Sequence, residues 1–346
     1  MMLKESDLHM NLLVTGGLGF IGSNFIRLLL ESRPDIRVIN LDKITYAGNP
    51  ANLKDVEKNP QYCLERGDIC DYERVDALFK KHAITHVVNF AAESHVDRSI
   101  ANPDVFIETN IKGTLTLLNA AKHNQIQKFV QISTDEVYGS LSFEDPAFTE
   151  TTPISPRSPY AASKASADLL ALAYFHTYNF PVSITRCSNN YGPYQFPEKL
   201  IPLMVRNIRL GQKLPVYGDG KNVRDWIHVK DHCEGILSVL DKGLPGEVYN
   251  FGGNAEKANI DLVHLLLKEL NASESLITYV KDRPGHDLRY AMNFDKAKRD
   301  LGWSPKITFE DGLKQTVQWY LDNSAWVDDI TSGQYLEYYK QHYGNI

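Results

Sequence analysis

Asp135 and Glu136 follow Ser133-Thr134 at the end of an apolar run, and Tyr160-Ala161-Ala162-Ser163-Lys164 comes shortly downstream. A tyrosine with a lysine four residues on can draw the proton from an alcohol while a nicotinamide takes the hydride. Removing a carbon-bound proton and expelling water from the neighbouring carbon asks for two further proton-transfer groups. Asp135 and Glu136 are the candidates, so the constellation points to hydride transfer coupled to an elimination. Two close carboxyls push their pKa values apart into one acid and one base, and spacing leaves either order open. The alternative is that Asp135 and Glu136 cap a helix or turn after the strand. A phenol titrates near about 10, too high for an efficient base at neutral pH. Lys164, at i+4 on the same helical face, and the positive charge of a nicotinamide favour its phenolate.

These groups need a scaffold that brings strand ends to one crevice. From Asn11 onward short apolar runs alternate with amphipathic stretches, the pattern of strands covered by helices on both faces. Asn11 to Thr15, Arg37 to Leu41, Tyr62 to Arg66, Thr85 to Phe90, Lys128 to Ser133 and Val182 to Arg186 read as strands. Phe20 to Glu31, Asp71 to Lys81, Asp104 to His123 and Ser158 to Tyr178 read as helices. The fold class is therefore α/β: a Rossmann-like doubly wound parallel sheet with a smaller C-terminal α/β substrate-binding domain. Its ligand crevice is expected at the carboxyl ends of the strands. Residues 1–10 read as a tail, 11–187 as the dinucleotide-binding domain and 188–346 as the second domain. After Arg186 turns dominate, with helices at Pro202 to Leu210 and Val229 to Leu240, and Glu247 to Phe251 is expected to return as a strand to the first domain.

The first strand turns into the first helix through Val14-Thr15-Gly16-Gly17-Leu18-Gly19-Phe20-Ile21-Gly22. Gly16, Gly19 and Gly22 allow a tight turn and a close approach of backbone N–H groups, with Phe20 and Ile21, to a pyrophosphate at the helix N-terminus. Asp42 closes the second strand, where its carboxylate can accept both ribose hydroxyls and would repel the extra phosphate of NADP. The predicted cofactor is NAD. Asp68, followed by Ile69, is placed either to meet the adenine amino group or to cap the following helix. Phe90, Ala91, Ala92 and Ser94 follow the fourth strand beside the expected dinucleotide, and Thr109 and Asn110 on the next helix face the same crevice.

The chain of 346 residues is 43% hydrophobic and carries a formal net charge of -6. That charge gives no basic field for nucleic acid, so anionic ligands must be held by local donors. Cys63, Cys70, Cys187 and Cys233 lack CxxC spacing and read as reduced thiols, with no metal site expected. Met1 to Met10 lacks the apolar core of a signal peptide, and no uncharged apolar run is long enough to span a bilayer. A cytoplasmic location is expected, with no membrane partner.

The GGxGFIG turn, Asp42, Ser133-Thr134 and Tyr160-xxx-Lys164 resemble the extended short-chain dehydrogenase/reductases that act on nucleotide sugars. Within that group, the segments Ala91 to Ser99, Ser133 to Gly139 and Arg224 to Val229 are similar to those of the dTDP-glucose 4,6-dehydratases. The resemblance runs from Asn11 to about Thr316, and the Asp-Glu pair is its most specific element, since related epimerases generally lack it. It implies a lyase that converts dTDP-glucose to dTDP-4-keto-6-deoxyglucose, with NAD kept tightly bound because no net oxidation occurs. By that resemblance Tyr160 takes the proton of the C4 hydroxyl and Thr134 hydrogen-bonds its oxygen. Glu136 removes the C5 proton and Asp135 protonates the departing C6 hydroxyl. Tyr160, Lys164 and Asn189 join the cofactor contacts.

The nucleotide sugar's two phosphates call for cations, and Arg224 and Arg283 are the candidates by type. The resemblance adds Ser94, Thr134, Asn190, Glu198, Lys199, Leu200, Pro215, Tyr217, Asn259 and His286 as substrate contacts. It puts Pro215 to Tyr217 near the base and Asn190 and Arg224 near the diphosphate. His286 reads equally as a phosphate contact or a loop histidine. Ala255 stands where the family more often has Asn, and the loop from Gly139 to Ser158 is shorter than in several relatives. Leu115, Leu117, Leu118, Leu169, Leu170 and Leu172 spread apolar surface over more than one face of their helices. The family pairs these two helices in a homodimeric four-helix bundle; burial within the monomer is the other reading. Rival functions are a dehydratase of a UDP- or GDP-linked sugar, an epimerase or decarboxylase, and a silent NAD-binding regulator, against which the intact Thr134, Tyr160 and Lys164 speak.

Overall fold

In Leu12-Leu13-Val14 every residue is fully buried. Leu12 and Val14 enter the core on one side of a sheet and Leu13 the core on the other. Alternation sends neighbours to opposite faces, so an unbroken apolar run needs helices on both sides. The computed structural model, which describes residues 10–331, has that arrangement. The first half contains β1 (Met10–Thr15), α1 (Phe20–Ser32), β2 (Ile36–Asp42), β3 (Tyr62–Arg66), α2 (Tyr72–His82) and β4 (His86–Asn89). Then come α3 (Val96–Ala101), α4 (Asp104–Phe106), α5 (Thr114–His123), β5 (Lys128–Thr134), α6 (Pro159–Tyr178) and β6 (Val182–Cys187).

The second half contains β7 (Asn189–Tyr191), α7 (Leu200–Arg209), β8 (Leu214–Tyr217), β9 (Val223–His228), α8 (Val229–Lys242) and β10 (Val248–Phe251). It continues with β11 (Glu256–Ala258), α9 (Asn259–Glu269), β12 (Ile277–Val280), α10 (Asp295–Leu301), α11 (Phe309–Asp322) and α12 (Ser324–Ile330).

The main sheet has seven parallel strands in the order β10-β6-β5-β4-β1-β2-β3. It is the expected Rossmann-like sheet, and the chain reverses its direction of travel between β1 and β4, where a ligand crevice opens. One face is covered by α1, α8 and α10 through Phe25, Ile26, Ile236, Val239 and Leu301. The other is covered by α2, α5 and α6 through Leu78, Phe79, Leu117, Leu118 and Ala171. Each such side chain contributes about 1.5–3 kcal/mol on burial, which holds the strand ends rigid beneath the crevice. A second lobe is built from β7, β9 and β11, the pair β8 and β12, and helices α7, α9 and α11 around Ile201, Leu262, Leu266 and Leu313. β10, the strand expected to return, joins the first sheet, and α8 and α10 pack on it, so part of the described chain after residue 187 belongs to the first core.

The segment expected as a single helix from Asp104 to His123 is interrupted: between α4 and α5, residues Ile107–Gly113 form a π-helical stretch. Leu117 and Leu118 are fully buried beneath the sheet, and Leu115, Leu170 and Leu172 are partly buried against the same core. Of the six leucines expected to supply surplus surface, only Leu169 is exposed, at 56%. The tail at residues 1–9 and the aromatic segment with Tyr335, Tyr338, Tyr339 and Tyr343 lie outside the described residues. Among the described residues no helix is long and apolar enough to cross a membrane.

Candidate active site

At the mouth of β1 the backbone of Gly16 is left-handed, with φ +68°, and a Cβ there would come within 2.8 Å of the Ala91 backbone. A Cβ on Gly22 would lie 2.5 Å from the Gly16 carbonyl oxygen. Both positions admit only glycine without a shift. Gly19 caps α1, no side chain bonds its cap, and the first turn carries no acid. The α1 N-terminus therefore presents unshielded N–H groups and partial positive charge. Asp42 fixes this turn, accepting from Leu18 N at 2.9 Å and Ile44 N at 2.8 Å.

A polar ladder lies under the next loop. Thr15 donates to Asn89 at 2.6 Å, Asn89 donates to Gln131 at 2.9 Å, and Ala91 N donates back to Thr15 at 3.3 Å. From the π-helical stretch, Asn110 accepts from Glu93 N at 2.8 Å and donates to Glu93 O at 3.0 Å and Ser163 at 2.8 Å. Asn110 thus ties the loop after β4 to α6. Asp68 is not a helix cap: α2 is capped by Asp71, while Asp68 accepts from Cys70 N at 2.9 Å and pairs with Lys43 at 2.6 Å.

All of Gly16, Gly19, Phe20, Ile21, Gly22, Asp42, Asp68, Ile69, Phe90, Ala91, Ala92, Ser94, Thr109, Asn189 and Asn190 line one cavity of about 330 Å³, together with Thr134, Asp135, Glu136, Tyr160 and Lys164. Ser158 and Pro159 start α6 as a side-chain cap and a first-turn proline, which aims Tyr160 and Lys164 into the cavity. Lys164 Nζ donates to Ile132 O at 2.6 Å. Burial pushes the Tyr160 phenol well up, and the Glu136 charge pushes the same way, opposed by a hydrogen bond with Thr134. The protein alone thus holds Tyr160 protonated, and burial lowers Lys164.

Thr134 caps the short 3-10 turn Asp135–Tyr138, its Oγ1 accepting from Glu136 N at 3.3 Å and donating to Asp135 Oδ1 at 3.1 Å. The cap is the threonine, so neither carboxyl is consumed in capping. Asp135 is 2% exposed, and burial, then the neighbouring Glu136 charge, push it well above the carboxylate range. Burial raises Glu136 too, but Arg283, Lys199 and Arg224 pull it back. The environment therefore differentiates the pair.

A second cavity of about 180 Å³ adjoins the first, with Glu136, Asn189, Glu198 and Lys199 in both walls. Leu200, Pro215, Tyr217, Arg224, Asn259, Arg283 and His286 line it. Asp97 sets its geometry, accepting from Tyr217 OH at 3.1 Å and pairing with Arg283 at 3.3 Å. Arg224 is held by Val223 O and Asp287 O over the Tyr290 ring. Asn190 is not in this cavity; its amide donates to Cys187 Sγ and Ser188 O, and its oxygen meets His232 Nδ1 at 2.9 Å. Burial pushes His286 down to about 4, so near neutral pH it is an uncharged imidazole beside Asp282.

A crevice at a sheet reversal, a glycine-bounded helix N-terminus and a tyrosine beside two differentiated carboxyls thus meet in these adjoining cavities. The family model for GDP-mannose 4,6 dehydratase matches residues 13–316. The dTDP-glucose 4,6-dehydratase of Neisseria meningitidis serogroup B is 51% identical over 344 residues, spanning 94% of this chain and 97% of that one. The chain belongs to the dTDP-glucose 4,6-dehydratase family. A solved dTDP-glucose 4,6-dehydratase from Bacillus anthracis, in complex with NAD, superposes with TM-score 0.87 at 52% identity, covering 93% of this chain and 99% of that one. Another from Streptomyces venezuelae, also with NAD bound, gives TM-score 0.90 at 51% identity over 93% and 100% of the two chains.

Several residues of this family member's cleft carried no signal in sequence. Asn52 donates to Leu18 O at 2.8 Å and accepts from Trp326 at 2.9 Å, tying the glycine turn to α12, and Trp326 lines the cavity itself. A tryptophan far along the chain looks like any core aromatic. Asp97 and Glu93 stand inside the family-like segment Ala91 to Ser99, which assigned them no role of their own. Cys63, Glu65 and His82 gather on the β3 edge, where Glu65 already accepts from Lys81 at 2.6 Å and meets His82 at 2.8 Å. The four cysteines are free.

Proposed function

We propose that the chain dehydrates dTDP-glucose to dTDP-4-keto-6-deoxyglucose, with NAD along the first cavity and the sugar nucleotide reaching into the second. The observation that carries this reading is the placement of Asp135 and Glu136 beside Tyr160 and Thr134, with Arg283, Lys199 and Arg224 acting on Glu136 and only Arg224 on Asp135. The cofactor fits the chain: Gly16, Gly19 and Gly22 leave room for a pyrophosphate at α1, and Asp42 stands where a ribose would end. NAD supplies, when bound, the hydride acceptor and, once reduced, the hydride donor.

Tyr160 takes the proton of the C4 hydroxyl, with the Thr134 hydroxyl on the same oxygen. The Lys164 ammonium and the charge of the bound cofactor supply the positive potential that its buried phenol otherwise lacks. With a carbonyl at C4 the C5 proton becomes acidic. Glu136, whose anion Arg283, Lys199 and Arg224 favour against burial, removes it. Asp135, kept protonated by burial and by Glu136, hands its proton to the leaving C6 hydroxyl. Arg224 and Arg283 hold the diphosphate, Pro215 and Tyr217 flank the base, and neutral His286 offers a hydrogen bond. Incubating the protein with dTDP-glucose, UDP-glucose and GDP-mannose, and reading the alkali-sensitive keto-sugar chromophore, is expected to give product with dTDP-glucose. A faster reaction with either other sugar nucleotide overturns the substrate assignment.

The protein pairs with a second copy through α6 and the segment before α5, and it works in the cytoplasm. Support for pairing comes from Ile107 and Leu169, which are 54% and 56% exposed on elements tied by the Asn110–Ser163 bond, with Ile100 and Val105 exposed nearby. The free thiols accord with a reducing compartment.

A further inference from the structure

Tyr160, Lys164 and Asp168 recur every four residues along α6 and so share one face. The first two serve the reaction proposed above. Asp168 has no part in it, yet its residue is 0% exposed, which for a carboxylate demands an explanation. Its Oδ2 accepts from Ser133 Oγ at 3.0 Å and from Arg186 Nε at 2.9 Å. Its Oδ1 has no hydrogen-bond partner among the described residues, so the ion pair does not use up the carboxylate. Arg186 also lies over the Tyr138 ring, 4.8 Å from its centroid.

We propose that Asp168, pinned by Ser133 and Arg186, is a positioning residue that keeps the Lys164 ammonium charged beside Tyr160 and fixes the end of β5 that carries Thr134. The inference rests on the reading of Tyr160 and Lys164 given above. Lys164 is buried, with Nζ bonded to the neutral Ile132 carbonyl, and a buried amine loses its proton unless an anion stands near. The groups that face it are Asp168 and Tyr160 on its own helix and the Cys187 thiol on β6, with Asp135 and Glu136 beyond Cys187. Burial pushes Lys164 down, and Asp168, then Cys187, push it back up. Cys187 is itself held protonated by burial, which leaves the Arg186-paired carboxylate of Asp168 as the counter-charge on the same helical face. Ser133 precedes Thr134, so the Asp168–Ser133 bond also sets where the threonine hydroxyl sits.

A buried ion pair that merely holds β6 against α6 is the competing explanation, and two variants separate the two. In the holoenzyme, the Lys164 amine is titrated by the carbon shift of isotope-labelled lysine, assigned by its loss in Lys164→Arg. Asp168→Asn keeps the shape and an acceptor for Ser133 but removes the charge. It is expected to lower the Lys164 midpoint by about one to two pH units and to move the acid limb of the turnover profile upward, since a neutral lysine no longer favours the phenolate. Arg186→Gln breaks the same pair but leaves the carboxylate, so the midpoint is expected to rise. A midpoint unchanged in Asp168→Asn, or one that falls in Arg186→Gln, overturns the proposal. Should Asp168→Asn not fold, the Arg186→Gln direction decides alone. A wild-type protein that never converts dTDP-glucose, yet shows these Lys164 shifts, contradicts the proposed function and leaves the Asp168 role standing.

Discussion

Asp135 and Glu136 are chemically near-identical neighbours, and it is their surroundings that differentiate them for the opposite tasks proposed above. Asp135 is walled in with Thr134, while Glu136 looks toward Arg283, Lys199 and Arg224. Glu136→Gln is therefore expected to stop product formation, by roughly 100-fold or more, while reduced nicotinamide still forms on mixing with dTDP-glucose; normal turnover by that variant contradicts the role. Asp42→Ala is expected to weaken NAD binding by about 1.5–3 kcal/mol and to relax discrimination against NADP, read by titrating each dinucleotide. Retention of full discrimination speaks against the ribose contact. The pair Asp135-Glu136 was legible by type and adjacency, but the order of acid and base was not. That order depends on Lys199, Arg224 and Arg283, which join the carboxyls only in three dimensions.

The elements that carry these residues are set by short-range packing. At the first turn, Gly22→Ala forces a methyl against the Gly16 carbonyl and is expected to cost about 1–3 kcal/mol, read as a lower melting temperature and less NAD retained on purification. The helix running from Asp104 to His123 was legible by its apolar period, whereas its π-helical stretch was not. The π-helical stretch puts Thr109 on the cavity wall, while Asn110, expected to face the crevice, is instead buried against Glu93 and Ser163, and no residue pattern in Ile107–Gly113 announces it. Asn110→Ala is expected to free Glu93 and Ser163 together and raise KM with a smaller effect on kcat. Strands β8, β9 and β12 escaped sequence reading because they pair with strands distant in the chain and lie between turns, which leaves turn residues as the dominant local signal.

For the whole molecule, the seven-stranded sheet was legible because its apolar strands alternate regularly with amphipathic helices, while the interleaving of β10, α8 and α10 with it was legible only in part. Buried histidines give the fold a pH dependence. Burial pushes His228 to about 4 and His232 to about 3, from 6.5. Their folded values lie below the unfolded one, so this stability is held above pH 6.5 and is lost as pH falls toward the folded values. His232→Gln is expected to flatten the slope of unfolding free energy between pH 4 and pH 6.5 by up to about 1.4 kcal/mol per pH unit, measured by urea titration. Pairing of two chains predicts that Leu169→Glu yields a monomer in sedimentation, and a wild-type monomer at low concentration excludes the interface. In the proposed reaction electrons leave the sugar at C4 and return to it at C6. The most direct measurement starts from dTDP-glucose deuterated at C4 and locates the label in the keto-sugar by mass spectrometry. Deuterium at C6 is the predicted result, and a product with no deuterium at C6 contradicts the account.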